Sequence, residues 1–221
     1  SASGGDSKIA WYENNGSESF TENAISTSAN NARSVYAADV DGDGDVDVLS
    51  ASSKDDKIAW YENTTSTAFD PEFTAHTIEG DFDGANSVYA TDVDGDGDVD
   101  ILGTASAADD ISWWENNGSE SFTAHTIEGD FDGANSVYAT DVDGDGDVDV
   151  LGAAGFYDSG FQGDGLFWWE NDGSENFTSH IIDGTPASSV YATDVDGDGN
   201  VDVLSSAGGA DDITWWENDG N

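Results

Sequence analysis

Residues 39 to 47 read Asp39-Val40-Asp41-Gly42-Asp43-Gly44-Asp45-Val46-Asp47, and the same nine-residue pattern returns at Asp92 to Asp100, Asp141 to Asp149 and Asp194 to Asp202. Carboxylates packed this densely repel one another, so a compact curl is favoured when a cation sits among them. Calcium is the expected ion, because it is hard and accepts many oxygens in a flexible shell. Acidic side chains at positions 1, 3 and 5, a backbone carbonyl at 7 and a carboxylate at 9 would supply that shell. The candidate metal ligands are therefore Asp39, Asp41, Asp43, Asp45 and Asp47 in the first copy, and Asp92, Asp94, Asp96, Asp98 and Asp100 in the second. The third copy offers Asp141, Asp143, Asp145, Asp147 and Asp149, and the fourth Asp194, Asp196, Asp198, Asn200 and Asp202. Asn200 at position 7 is compatible with ligation through its carbonyl. Glycines at positions 4 and 6, Gly42 and Gly44 in the first copy, permit backbone angles closed to other residues.

An EF-hand starts in the same way but needs a Glu at position 12 and a helix after it. Here position 12 is Ser50, Gly103, Gly152 or Ser205. The residues that follow the loop, such as Val46, Val48 and Leu49, are β-branched or aliphatic without helical period, so the loop is expected to join two strands.

Aromatic pairs begin at Trp11, Trp60, Trp113, Trp168 and Trp215, and the acidic loops are spaced by 53, 49 and 53 residues. A period near fifty signals a repeat architecture. Around the second loop, Ser87 to Val93, Asp100 to Ala105, Asp110 to Glu115 and Phe122 to Glu128 read as four strands A to D. The acidic loop, Asp109-Asp110 and the hairpin signal Asn117-Gly118 divide them. Ile111-Ser112-Trp113-Trp114 puts large groups on both faces of a strand, as in a sheet sandwiched between sheets. The expected fold is all-β: one domain, residues 1–221, forming a β-propeller of four-stranded antiparallel blades. The units run roughly over 1–26 (partial), 34–79, 87–128, 136–183 and 189–221 (partial). Four inner strands predict four blades per chain, closed as a monomer or as an eight-bladed dimer. Phe20 to Ile25 would then complete the blade begun at Val190. Residues 73–100 and 122–149 are identical at an offset of 49, which points to recent duplication.

The loop followed by Val-Leu-Gly-type strands resembles the FG-GAP or VCBS-type repeats of integrin-α-like β-propellers, and those of bacterial surface and secreted proteins look closer. The resemblance spans essentially the whole chain. It implies calcium at the loop positions named above.

The net charge is −44, and about four Ca²⁺ per chain would leave roughly −36. Lys8, Arg33, Lys54 and Lys57 are the only lysines and arginines, so neither nucleic acid nor an anionic membrane is an expected partner. Aromatic content argues against disorder. There is no Cys or Met, and no membrane-length apolar run or signal peptide. The lack of Met is expected of a processed chain or a fragment. Weak calcium sites would be empty in cytosol, which favours an extracellular or cell-surface location.

The leading functional expectation is a calcium-stabilised extracellular binding or adhesion scaffold, not an enzyme. The alternatives are a propeller domain of a secreted polysaccharide-processing enzyme, since carboxylate pairs are plentiful, and a purely structural module of a larger surface protein. His76, His125 and His180 recur with the repeat and read as ordinary, partly exposed residues. Between Leu151 and Trp168 the chain runs 17 positions against 11 elsewhere, and that insertion carries Phe156, Tyr157 and Phe161. These are the candidate contacts for a protein or carbohydrate ligand. A second insertion, holding Pro71, lies between Trp60 and Phe73. A homodimer is the expected assembly if four blades per chain close as eight.

Overall fold

The computed structural model describes residues 1–64, 71–155, 164–207 and 212–220. Five antiparallel sheets follow one another along the chain. The first holds β1 (Ala2–Ser3), β2 (Lys8–Asn14) and β3 (Phe20–Ser26). The second holds β4 (Ala32–Ala38), β5 (Asp47–Ser52), β6 (Lys57–Asn63) and β7 (Phe73–Glu79). The third holds β8 (Ala85–Thr91), β9 (Asp100–Ala105), β10 (Asp110–Asn116) and β11 (Phe122–Glu128). The fourth holds β12 (Ala134–Thr140), β13 (Asp149–Ala154), β14 (Gly165–Asn171) and β15 (Phe177–Asp183), and the last β16 (Ser189–Thr193), β17 (Asp202–Ala207) and β18 (Asp212–Trp216). Within each sheet, strands adjacent in sequence are adjacent in space. Among the described residues no helix is long and apolar enough to cross a membrane.

The sheets stack face to face because both faces of each middle strand are apolar. Inner strands β4, β8, β12 and β16 pack in succession, and their Tyr36, Tyr89, Tyr138 and Tyr191 form a row with ring centroids 4.7, 4.9 and 4.8 Å apart. Burial pushes the Tyr89 phenol well above its ordinary range. Between the second and third sheets, Leu49, Ile58 and Trp60 meet Val88, Ile101 and Trp114. Between the third and fourth, Leu102, Ile111 and Trp113 meet Val137, Val150 and Trp169. Trp60, Trp113 and Trp169 are fully buried, and truncating such a side chain typically costs about 3–5 kcal/mol.

The reading of closure changes at the ends. Phe20–Ser26 does not complete a blade begun at Val190; it pairs with its own hairpin neighbour Lys8–Asn14. A short loop makes that local pairing entropically cheap, and Ile9 of the same hairpin is buried against the second sheet. The final sheet is three-stranded, with β18 on β17. Five sheets in a row result instead of four closed blades, and Tyr191, Ile213 and Trp215 at the far end are exposed.

Candidate metal centres

Each acidic loop joins the innermost strand of a sheet to the next one. The strand that follows begins at position 9: Asp47, Asp100, Asp149 or Asp202 opens β5, β9, β13 or β17. A strand there, not a helix, separates these loops from an EF-hand. Glycines 4 and 6 have positive φ in every copy, 75° and 96° at Gly42 and Gly44, and 78° and 100° at Gly95 and Gly97. A Cβ on any of these four would meet nothing within 4 Å. Conformation, not space, demands glycine there.

Backbone N–H groups wire the carboxylates in place. Asp39 accepts from Gly42 N through Oδ1 (2.9 Å) and from Gly44 N through Oδ2 (3.0 Å). Asp41 accepts from Asp43 N (3.1 Å) and Asp43 from Asp45 N (2.8 Å). The same bonds recur from Asp92, Asp141 and Asp194 onward. Position 9 is buried and doubly satisfied: Asp100 accepts from Val93 N (2.8 Å) and Asn116 N (2.8 Å).

Oxygens from three carboxylates converge in each copy within 4.8 Å: Asp39, Asp41 and Asp43; Asp92, Asp94 and Asp96; Asp141, Asp143 and Asp149; Asp194, Asp196 and Asp202. These four clusters could hold metal ions. Hard, anionic oxygen donors with spare lone pairs after each N–H bond fit a hard divalent cation. Positions 1 and 3 meet in all four groups, joined by position 5 in the first two and position 9 in the last two. Position 7 is not in any group. In the last three copies its side chain turns to the segment that follows the third strand of the sheet: a Cβ on Gly118 or Gly173 would strike the Asp98 or Asp147 carboxylate, and one on Gly220 would lie 3.0 Å from Asn200 Oδ1. In the fourth copy the Asn200 side chain also stays in touch with its own loop, Nδ2 donating to Asp198 Oδ2 (2.9 Å).

Burial is the main cause of unusual proton affinity here. It pushes the Asp100 carboxyl up to about 7 and that of Asp149 up to about 6, with Asp47 raised for the same reason. Asp41, Asp94 and Asp143 are also raised, chiefly by burial. Asp202, on the last sheet, is instead lowered by the N–H donors of Asn218 and Val195. A bound cation would favour the ionised form at each of these positions.

Two features escape a reading of the sequence alone. The first is an asparagine clamp between consecutive loops. Asn116 Nδ2 donates to the position-2 carbonyl of the preceding loop, Val40 O (3.0 Å), and to the position-8 carbonyl of its own, Val99 O (3.1 Å). Asn171 does the same for Val93 (3.2 Å) and Val148 (3.2 Å), and Asn218 for Val142 (3.1 Å) and Val201 (3.2 Å). Recurrence of Asn two or three residues after each aromatic pair was the available signal. The second is the set of partners around the histidines, which were read from sequence as ordinary, partly exposed residues. His76, His125 and His180 lie 2.8, 2.9 and 2.8 Å from Glu62, Glu115 and Glu170. Each ring also stacks on Trp60, Trp113 or Trp168 at 4.6, 4.7 and 4.6 Å. They are part-buried structural partners on the outer strand pair. Phe156, Tyr157 and Phe161 lie outside the described residues.

A sequence model of the FG-GAP-like repeat matches residues 1–50, 39–103 and 92–152. The chain belongs to the FG-GAP-like repeat family. The matched FG-GAP-like segments contain the first three acidic loops; the fourth, Asp194 to Asp202, repeats their hydrogen bonds in the structure. No curated protein matches the chain. Among solved structures it is similar to one described as the crystal structure of the V. cholerae biofilm matrix protein Bap1, at 21% identity and a TM-score of 0.38. That similarity covers 77% of this chain and 27% of the other.

Proposed function

We propose that this FG-GAP-like chain is a calcium-stabilised, extracellular binding or adhesion scaffold without catalytic activity. The observation that carries the reading is the fourfold recurrence of one prewired carboxylate loop, each tied to its neighbour by an asparagine. The recurring histidines have structural partners, which supports a scaffold over a catalytic surface. Extreme acidity suits a medium whose salt screens self-repulsion and whose calcium fills weak sites. A protein or carbohydrate is the proposed ligand class, with Phe156, Tyr157 and Phe161 as its proposed contacts.

The test is a melt in calcium against a melt in chelator. At free calcium about a hundredfold above the dissociation constant, each site adds roughly 2.7 kcal/mol, so four independent sites add on the order of 10 kcal/mol. The chelated protein should melt far lower, and magnesium should not restore it. Calorimetry on two variants places the ligands: Asp43→Ala should lose its site and Asp45→Asn should keep it. An unchanged melt in chelator would end the calcium reading.

A further inference from the structure

Tyr36, Tyr89, Tyr138 and Tyr191 hold the same place on inner strands β4, β8, β12 and β16, each opposite a leucine of the next strand: Leu49, Leu102, Leu151 and Leu204. Tyr36, Tyr89 and Tyr138 are half-buried, and each packs against the apolar core of one junction between sheets. Ladder and core together leave these rings little freedom. Consecutive rings of the row lie 4.7, 4.9 and 4.8 Å apart, their planes at 52°, 49° and 53°. Those separations fall at the short end of the usual range for aromatic pairs, about 4.5–7 Å, where ring edges touch. Neighbours in the row are 53, 49 and 53 positions apart in sequence, so only the stacking of the sheets brings them together.

Phenols side by side are also a reactive arrangement. These 221 residues contain no Cys or Met, so no sulfur within them intercepts an oxidant. Trp60, Trp113 and Trp169 are fully buried. Burial first, and then the Tyr36 and Tyr138 phenols beside it, keep the Tyr89 phenol protonated, and burial raises Tyr138 as well. We propose that the tyrosine row is an oxidative cross-linking site, where a one-electron oxidant of the haem and hydrogen peroxide class joins neighbouring rings as dityrosine. Each of two phenols gives up one electron and its hydroxyl proton, and the phenoxyl radicals form a carbon–carbon bond between ortho positions. The two ortho hydrogens then move to the oxygens as the rings regain aromaticity. One hydrogen peroxide takes up the two electrons and two protons and becomes two waters. Half-burial admits a small diffusing oxidant but keeps a second chain's tyrosine from the three inner rings, so the link forms within one chain. It ties consecutive sheets by their inner strands where no cysteine offers a disulfide. Like a disulfide closing a loop of about fifty residues, it restricts the unfolded chain.

The test treats dilute chain with hydrogen peroxide and a haem peptide small enough to approach a half-buried ring. Dityrosine fluorescence should appear while the product keeps the single-chain mass of 23.1 kDa, less two hydrogens for each link. Two double variants with equal numbers of tyrosines decide the site. Tyr89→Phe with Tyr138→Phe leaves no two adjacent phenols in the row and should lose the intrachain link. Tyr36→Phe with Tyr191→Phe keeps one adjacent pair and should retain it. Tyr12→Phe, at an exposed phenol outside the row, should change nothing. Phenylalanine keeps each ring in place, and circular dichroism and melting check the fold. The linked wild-type chain should melt higher than the untreated one, in calcium and in chelator alike. A wild-type chain that forms no dityrosine, or couples only between chains, overturns the proposal. So does an intrachain link that survives in the Tyr89 and Tyr138 double variant.

Discussion

The two middle junctions and the two outer ones fill the same gap in different ways. Between the second and third sheets, Phe82 stands edge-on to Trp114 at 5.1 Å; between the third and fourth, Phe131 stands edge-on to Trp169 at 5.1 Å. Beneath each pair the strand carries glycine. A Cβ on Gly103 would lie 2.9 Å from Trp114 Cζ3, and one on Gly152 2.7 Å from Trp169 Cζ3. At the first junction the residue matching Phe82 is Ala29, and at the last the connection 184–188 holds no aromatic. Serine replaces glycine there. Ser50 Oγ lies 3.4 Å from the Tyr61 hydroxyl, and Ser205 Oγ accepts from Trp216 Nε1 at 3.0 Å. The middle solution buries a whole phenyl ring but leaves the Trp114 and Trp169 indole N–H groups buried without a partner among the described residues. The outer solution gives up that ring and satisfies the polar tip. One backbone thus accepts two self-consistent packings, and the residues must change together.

The largest expected effect is from Phe131→Ala, which empties a middle junction. It should cost about 3–5 kcal/mol in a denaturant melt. A loss below about 1 kcal/mol would mean the junction collapses freely and the comparison has no energetic content. Next comes Gly103→Ser, which puts the outer residue under the middle aromatic. Overpacking should cost about 1–3 kcal/mol. In a Phe82→Ala background the same serine has room and a donor to meet, so a double-mutant cycle should show strong favourable coupling. Additive losses would break the argument. Smaller still is Ser205→Ala, which strips the partner from Trp216 and should cost about 1 kcal/mol.

A further effect concerns protons and again contrasts middle with end. In the ion-free chain, burial raises Asp100 to about 7 and Asp149 to about 6, whereas Asp202 is lowered. A carboxyl whose folded pKa lies above its unfolded value binds more protons when folded. Its contribution is full below the unfolded value near 4 and is lost as pH rises through the folded value. Chelated protein should therefore gain stability on acidification from about pH 8 to about pH 5. Asp202 works the other way, its contribution fading only below the ordinary carboxylate range. With calcium present the slope should reverse, because the ion needs ionised ligands. Parallel slopes in the two conditions would show that these carboxylates do not face the ion.

Much of this was legible in residues. Asp100 to Ala105 and Phe122 to Glu128 are strands with the bounds expected, because loop position 9 and the turn residues punctuate them. The inner strand was expected at Ser87 to Val93 and runs Ala85–Thr91 instead. A bulge between Ala85 and Ser87 breaks the alternation at its start, and the bond from Val93 N to Asp100 Oδ2 draws its end out of the ladder. Asn117-Gly118 is indeed a turn, though a longer one than a two-residue hairpin: Asn117 N donates to Ser121 O, and Glu120 sits at a φ of 58°. That the carboxylates of positions 1 and 3 converge, with position 5 in two loops and position 9 in the other two, was readable because their spacing is a local property. The row of five sheets was not, because strand counting cannot tell a hairpin that stays with its neighbour from one that crosses to close a ring. The asparagine clamp was also hidden, since its two acceptors lie 17 and 76 positions away in sequence.

That clamp also matters for load. A pull on the two ends of the chain runs through the sheets in series, and each asparagine resists the sliding of one loop past the next. When a clamp gives way, one sheet can peel off while its neighbours keep theirs. Each event then releases one repeat of 49 to 53 residues, on the order of 170 Å of extended chain. Stretched, the molecule would lengthen in a few equal steps, dissipating work at each one and refolding sheet by sheet when slack returns.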